Sequence, residues 1–167
     1  LRYLSDLGGT LAARYQDTGQ QEDLDQAIGL FQEAVGASPA GHLDRLVYLS
    51  NLGIALKTRY RHTGQQADLD QAITAGQEAV ATALPGDPRR AGSLSQLGSA
   101  FISRYERTEE LEDLDQAIGL FQEAANCEPA DAPDHPAHLF SLAAALRSRY
   151  ERTGELEDLD QAIGLFR

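Results

Sequence analysis

The residues able to do chemistry are few and lie mostly in one stretch. Cys127 is the only cysteine, and Asp131, Asp134, His135 and His138 follow it closely. Thiol, imidazole and carboxylate are the ingredients of a zinc site or of a Cys–His nucleophile pair. Their spacing matches none of the standard zinc patterns. Pro133 and Pro136 instead describe a loop running into a helix, with Asp134 at the N-cap and Pro136 in the first turn. An enzyme or metal site around Cys127, His135 and His138 is one reading of the stretch; a linker between helices is the other. The missing pattern favours the linker, so no catalytic residue, metal or cofactor is assigned and the chain is not read as an enzyme. His42 and His62 have no recurring partners and read as surface residues. No Gly-rich phosphate loop and no Ser-His-Asp order is present.

The elements that position these residues are set by an internal repeat. Arg-Tyr recurs at 14–15, 59–60, 104–105 and 149–150, and Leu-Asp-Gln-Ala-Ile at 24–28, 69–73, 114–118 and 159–163. Leu-Gly stands at 7–8, 52–53 and 97–98, with Leu142-Ala143 in the fourth copy. Every step is 45 residues. Within a unit, Leu4, Leu7, Gly8, Leu11 and Tyr15 step by three or four, which is one apolar face of a helix, here helix A. Leu24, Ala27, Ile28, Phe31 and Ala34 mark a second, helix B. Thr18-Gly19, Thr63-Gly64 and Thr153-Gly154 break the two, Gly being the residue that ends a helix in the left-handed conformation cheaply. Copy three has Glu109 there, so its turn is expected to be less relaxed.

Asp23, Asp68, Asp113 and Asp158 each precede a Gln by three residues, which predicts N-caps for the B helices. Asp25, Asp70, Asp115 and Asp160 are then expected in the first turn, where the helix dipole favours them. Arg14 ends helix A near those acids, so an ion pair within each hairpin is expected, with the recurring Tyr at a core position. A mid-helix Gly costs about 1 kcal/mol relative to Ala. Gly8, Gly53 and Gly98 therefore predict a close neighbour, with Ala27, Ala72 and Ala117 as the small residues facing them. Pro-bearing linkers fall at 36–41, 84–88 and 126–136.

Composition narrows the function. The formal charge is −12, which argues against nucleic acid and anionic membranes as partners. No apolar run reaches membrane-spanning length. One cysteine in 167 residues fits a reducing, cytoplasmic setting. The absence of Met, even at position 1, reads as a piece of a longer protein. Charge is also segregated. Segments 1–17, 43–62, 88–108 and 135–152 hold 13 of the 14 basic residues and 5 of the 26 acids. Dipole matching accounts for this pattern; a helix-A face less acidic than the rest is its functional counterpart.

These residues resemble the tetratricopeptide repeat. Copy one offers Leu4, Leu7-Gly8 and Leu11, then Ala27, Phe31, Ala34 and Pro39; copy three offers Leu94, Leu97-Gly98 and Phe101, then Ala117, Phe121, Ala124 and Pro129. Copy two departs with Gly76 for the aromatic and Pro85 for the proline. The stretch from Gly8 to Ala27 is longer than in the common repeat by about two helical turns. The chain is similar to long-repeat arrays found beside CHAT protease or nucleotide-binding signalling domains. The resemblance implies an all-α superhelix, a TPR-like solenoid of four antiparallel helix hairpins, the last incomplete. It covers a single repeat domain, 1–167, with copies near 1–42, 43–87, 88–134 and 135–167. It implies a protein-interaction scaffold or regulatory arm that takes a peptide or a neighbouring domain on its concave helix-A face. A purely structural spacer is the alternative. Carried over position by position, the partner-binding groove falls on Arg2, Ser50, Ile54, Lys57, Ser99, Ile102, Phe140 and Arg147.

Helices are expected near 1–17, 24–36, 43–62, 69–83, 89–107, 114–127, 136–152 and 159–167, with Tyr15, Tyr60, Tyr105 and Tyr150 buried alike. The end hairpins are expected to expose Leu142, Leu146, Ile163 and Phe166 at one end and Leu4, Leu7 and Leu11 at the other. Such surfaces could join copies end to end.

Overall fold

The computed structural model describes residues 1–84 and 86–166. Pro85, the proline of the second linker, and Arg167, the expected end of the last helix, lie outside the described residues. Among the described residues the fold is all-α, with eight helices in consecutive antiparallel pairs. The first unit, Leu1–Leu84, holds α1 (Arg2–Thr18), α2 (Gln21–Ala37), α3 (Arg45–Thr63) and α4 (Gln66–Thr82). The second, Pro85–Arg167, holds α5 (Arg90–Thr108), α6 (Leu111–Cys127), α7 (His135–Thr153) and α8 (Leu156–Gly164). Odd-numbered helices are the A helices of the repeat and even-numbered ones the B helices.

The turn inside each hairpin is built by its Tyr and Thr. The residue after each A helix is left-handed, at φ 70° in Gly19 and Gly64 and 75° in Gly154. Its N–H donates to the carbonyl of Tyr15, Tyr60 or Tyr150 at 2.7–2.8 Å. Glu109 takes the same conformation at φ 57°, a position that strains a residue with a Cβ. The Thr18 hydroxyl donates to the Arg14 carbonyl at 2.8 Å and accepts from the Gln20 N–H at 3.3 Å. Thr63, Thr108 and Thr153 repeat both bonds.

The B helices begin three residues earlier than the Asp-x-x-Gln pattern predicts. Their N-caps are Gln20, Gln65, Glu110 and Glu155, none with a side-chain cap bond. Asp23, Asp68, Asp113 and Asp158 stand at the third helical position, and Asp25 and its equivalents lie beyond the first turn. The reason is that each buried carboxylate has a stronger partner than a backbone N–H, the arginine of its own hairpin. Asp134 does occupy an N-cap with Pro136 just inside α7, again without a side-chain bond.

In the first unit the apolar core joins Tyr15, Leu24, Ile28 and Phe31 to Leu49, Leu52 and Leu56 of α3. In the second, Leu94, Leu97, Phe101, Leu114, Phe121, Leu142 and Leu146 are buried. Each such side chain contributes about 2 kcal/mol through removal of apolar surface from water. The tyrosines are not equivalent. Tyr15 is buried, its ring edge-on to His62 at 5.6 Å, whereas Tyr60, Tyr105 and Tyr150 are half-buried. Leu142 and Leu146 are fully buried rather than exposed, because α7 packs them inward against α6.

Gly8 and Gly98 face a ring rather than the expected alanine, whereas Gly53 faces Ala72 as expected. A Cβ at Gly8 would stand 2.7 Å from Phe31 Cε1, and one at Gly98 2.8 Å from Phe121 Cε1. At Gly53 a Cβ meets only the Ala72 carbonyl oxygen at 3.5 Å, since copy two carries Gly76 where the others carry Phe. Gly8→Ala and Gly98→Ala are therefore expected to destabilise by about 1–3 kcal/mol through overpacking. Gly53→Ala is expected to be neutral or to stabilise by up to about 1 kcal/mol through helix propensity. Urea unfolding of the three single variants checks this; equal effects at all three positions would contradict it.

Candidate functional site

Each hairpin is closed by one arginine on a buried carboxylate. Arg14 donates to Asp23 through Nε at 2.6 Å and Nη2 at 2.5 Å. Arg59 grips Asp68 at 2.8 and 2.6 Å, Arg104 grips Asp113 at 2.8 and 2.5 Å, and Arg149 grips Asp158 at 2.8 and 2.6 Å. All four carboxylates are almost fully buried. A planar guanidinium matches a carboxylate with two parallel bonds, which is why the position is Arg and not Lys. Arg59 and Arg149 also reach the preceding hairpin: Arg59 Nη1 donates to Asp25 at 2.8 Å and Arg149 Nη1 to Asp115 at 2.7 Å. The Arg14 hydrogen bonds hold the Asp23 carboxyl below the usual carboxylate range, and Arg149 does the same to Asp158.

A second arginine ties hairpins together and was not singled out from sequence. Arg45, opening α3, donates to the Val35 carbonyl at 2.7 Å, to the carbonyl and hydroxyl of Ser38, and to Glu78. Arg90 and Glu123 form the equivalent pair at 2.5 Å. The signal was there, since Arg45 to Arg90 and Glu78 to Glu123 are both steps of 45. The same register places His135 at the arginine position of the fourth copy.

The Cys–His stretch takes its place in this frame. Cys127 is exposed at the last residue of α6. His135 is half-buried and His138 is buried, its Nε2 3.4 Å from Glu128 Oε2. Among the described residues no group of three or more His, Cys, Asp or Glu side chains is arranged to hold a metal.

The residues expected to line a groove divide between the units. In the first unit a shallow groove of about 100 Å³ runs between α1 and α3. Its lining includes Gly9, Ala12, Gln16, Asn51, Ile54 and Thr58, over a floor that includes Phe31 and Tyr15. Ile54 is 41% exposed, and Arg2 is exposed at the start of α1. Lys57 is half-buried three residues beyond Ile54; burial first, and Arg61 second, hold its ammonium below the usual lysine range. Ser50 is half-buried. In the second unit Ser99 spends its hydroxyl on the Ser95 carbonyl at 3.0 Å, and Ile102 is half-buried. Phe140 and Arg147 line a cleft of about 450 Å³ between α7 and α8, Phe140 being 68% exposed and Arg147 lying 3.5 Å from Glu151. Asn51, whose amide donates to Ser5 at 3.3 Å, and Gln16 were missed; both are polar groups on the groove wall.

The family model described as Tetratricopeptide repeat matches residues 90–137, which span α5, α6 and the start of α7. Over that stretch the chain is similar to the tetratricopeptide repeat, and its fold as a whole is an all-α helical repeat. Similar solved structures include one titled DHF58 filament, with TM-score 0.59 and 18% identity over 98% of this chain and 88% of that one. The designed helical repeat protein DHR64 aligns with TM-score 0.55 and 18% identity over the same shares. TPR-like repeats of a putative kinesin light chain from Podosopora anserina align at 20% identity over 99% of this chain and 96% of that one, with TM-score 0.49, too low to bear on the fold. No curated protein matches. Among the described residues no helix is long and apolar enough to cross a membrane.

Two consequences of the arginine frame are measurable. Asp68→Ala leaves Arg59 without its buried partner and is expected to cost about 2 kcal/mol, less than in a wholly desolvated pair because Arg59 keeps some solvent contact. Asp25→Ala removes an exposed partner of the same arginine and is expected to cost under about 0.5 kcal/mol. Equal costs in chemical unfolding would refute the ranking. Asp23 and Asp158 have folded pKa values below their unfolded ones, so their stabilisation is complete above about pH 4 and is lost as pH falls through the lower folded values. A thermal midpoint that holds steady from neutral pH to about 4.5 and then drops is the expected profile.

Proposed function

We propose that the chain is a protein-interaction scaffold, or the regulatory arm of a longer polypeptide, and that its helix-A face takes a peptide or a neighbouring domain. The domain beside it would be of the CHAT or nucleotide-binding kind that such long-repeat arrays accompany. The four hairpins act in this reading as one repeat domain in a reducing, cytoplasmic compartment, with partner-binding residues Arg2, Ser50, Ile54, Lys57, Ser99, Ile102, Phe140 and Arg147. The observation that carries it is the α1–α3 groove: an apolar floor, polar walls at Gln16, Asn51 and Thr58, and Ile54 exposed on the same rim. Lys57 adds a cation whose solvation is already reduced, so a carboxylate brought to it costs less desolvation than at an open surface. The fitting occupant is an extended or helical segment carrying acidic and apolar residues. A second copy of the chain is a further partner in this reading, through the open faces of the end hairpins.

Fluorescence anisotropy against a panel of acidic–apolar peptides tests the groove. A binder from that panel is expected to lose about tenfold in affinity with Lys57→Glu, and to weaken as salt rises from about 50 to 500 mM. A binder indifferent to Lys57→Glu, to Arg147→Glu and to salt would leave the spacer reading in its place.

A further inference from the structure

One arrangement of neighbouring A helices occurs in each unit, α1 with α3 in the first and α5 with α7 in the second. The α1–α3 groove has Tyr15 and Phe31 in its floor and runs past Gly9, Ala12 and Ile54. A Cβ placed on Gly9 would meet no atom of another helix within 4 Å, so the space beside it is open. In the second unit the registers of Gly9 and Ala12 hold Ser99 and Ile102, and the register of Ile54 holds Ala144. Ile102 is half-buried. At this register the fold thus accepts a branched four-carbon side chain where α1 supplies only the methyl group of Ala12.

Volume points the same way. The groove holds about 100 Å³. An apolar cavity of about 150 Å³ takes benzene, which is about 25 Å³ for each carbon. At that density about four carbons fill the groove, the content of a leucine or isoleucine side chain. An alanine leaves most of it empty, and a phenylalanine ring exceeds it. Two of the polar wall residues are already engaged: the Thr58 hydroxyl donates to the Ile54 carbonyl at 2.8 Å, and the Asn51 amide donates to Ser5 at 3.3 Å. Among the described residues none that lines the groove is charged. The hollow therefore offers an incoming side chain apolar contact.

We infer that the groove is a socket for one leucine or isoleucine side chain of the partner peptide, seated on Phe31 and Tyr15, and that Gly9 and Ala12 set its size. This rests on the reading of the helix-A face as a peptide site, and adds which residue of the peptide is recognised there.

Fluorescein-labelled acidic peptides that differ only in one central residue, Ala, Leu, Ile or Phe, test it by anisotropy on the 167-residue chain. The Leu and Ile peptides are expected to bind about tenfold more tightly than the Ala and Phe peptides. Each methylene is worth about fourfold when fully buried, and less in an open groove. Ala12→Ile and Gly9→Leu each fill the socket from within. Both are expected to bring the Leu and Ile peptides down to the affinity of the Ala peptide, with the helical circular dichroism unchanged. Gly9→Leu places its side chain in open space and removes a mid-helix glycine, so it keeps the fold should Ala12→Ile disturb it. Equal binding of all four peptides, a Phe peptide that binds tightest, or a Leu preference that survives both variants overturns the inference. The peptide-site reading outlives those three results where binding still weakens with Lys57→Glu and with salt. No binding by any of the four up to about 1 mM overturns both.

Discussion

A carboxylate removed from water must be paired, and this chain removes one in every hairpin. Asp23, Asp68, Asp113 and Asp158 sit on the inner side of a B helix with almost no exposure. An unpaired charge there would cost several kcal/mol. The pair is made by an arginine nine residues earlier, near the end of the A helix. That requirement explains the length of the A helices. They run on past the core until the guanidinium stands opposite the carboxylate, then turn at once through a left-handed residue whose N–H is taken by the adjacent tyrosine carbonyl. Arg, Tyr, Thr, the turn residue and Asp are one device. In Arg59 and Arg149 the same guanidinium also holds the hairpin before it, so closure of one unit and docking on its neighbour share a residue.

Packing imposes a second constraint, a coupled pair of positions. Where a B helix carries Phe31 or Phe121, its ring occupies the space a Cβ would need at Gly8 or Gly98. Copy two has lost the ring, and its Gly53 has no side chain within contact distance of a Cβ. Copy four carries Ala143 at the glycine register and leaves most of the Phe166 ring in solvent. The glycines are therefore read in pairs with the aromatics they face and not one at a time.

Much of the fold was legible because a period of 45 repeated four times overdetermines it. The order of helices and the ion pair inside each hairpin follow from Arg-Tyr and Leu-Asp-Gln-Ala-Ile alone. The caps were not legible, since Asp three residues before Gln is also how an N-cap looks. Choosing between a backbone N–H and an arginine as partner needs the two helices side by side. The tyrosines misled for a related reason. Identical residues in identical registers differ in burial because Tyr15 has His62 against its ring. The groove was least legible. Its candidate positions came from a resemblance, and local chemistry sorts them: Ile54 is on the groove rim, while Ser99 is committed to the Ser95 carbonyl.

The arginine frame accounts for part of the segregation of charge. Arg14, Arg45, Arg59, Arg90, Arg104 and Arg149 all hold carboxylates of this chain, so much of the basic character of the A helices is structural. The frame does not explain Lys57. It is the only lysine and stands at the register of Ala12, Ile102 and Arg147, with Arg61 acting on its charge. A flexible ammonium would serve poorly as a bidentate clamp. It is half-buried, and that burial disfavours its charged form. In the proposed function Lys57 is the cation that receives an acidic side chain of the partner.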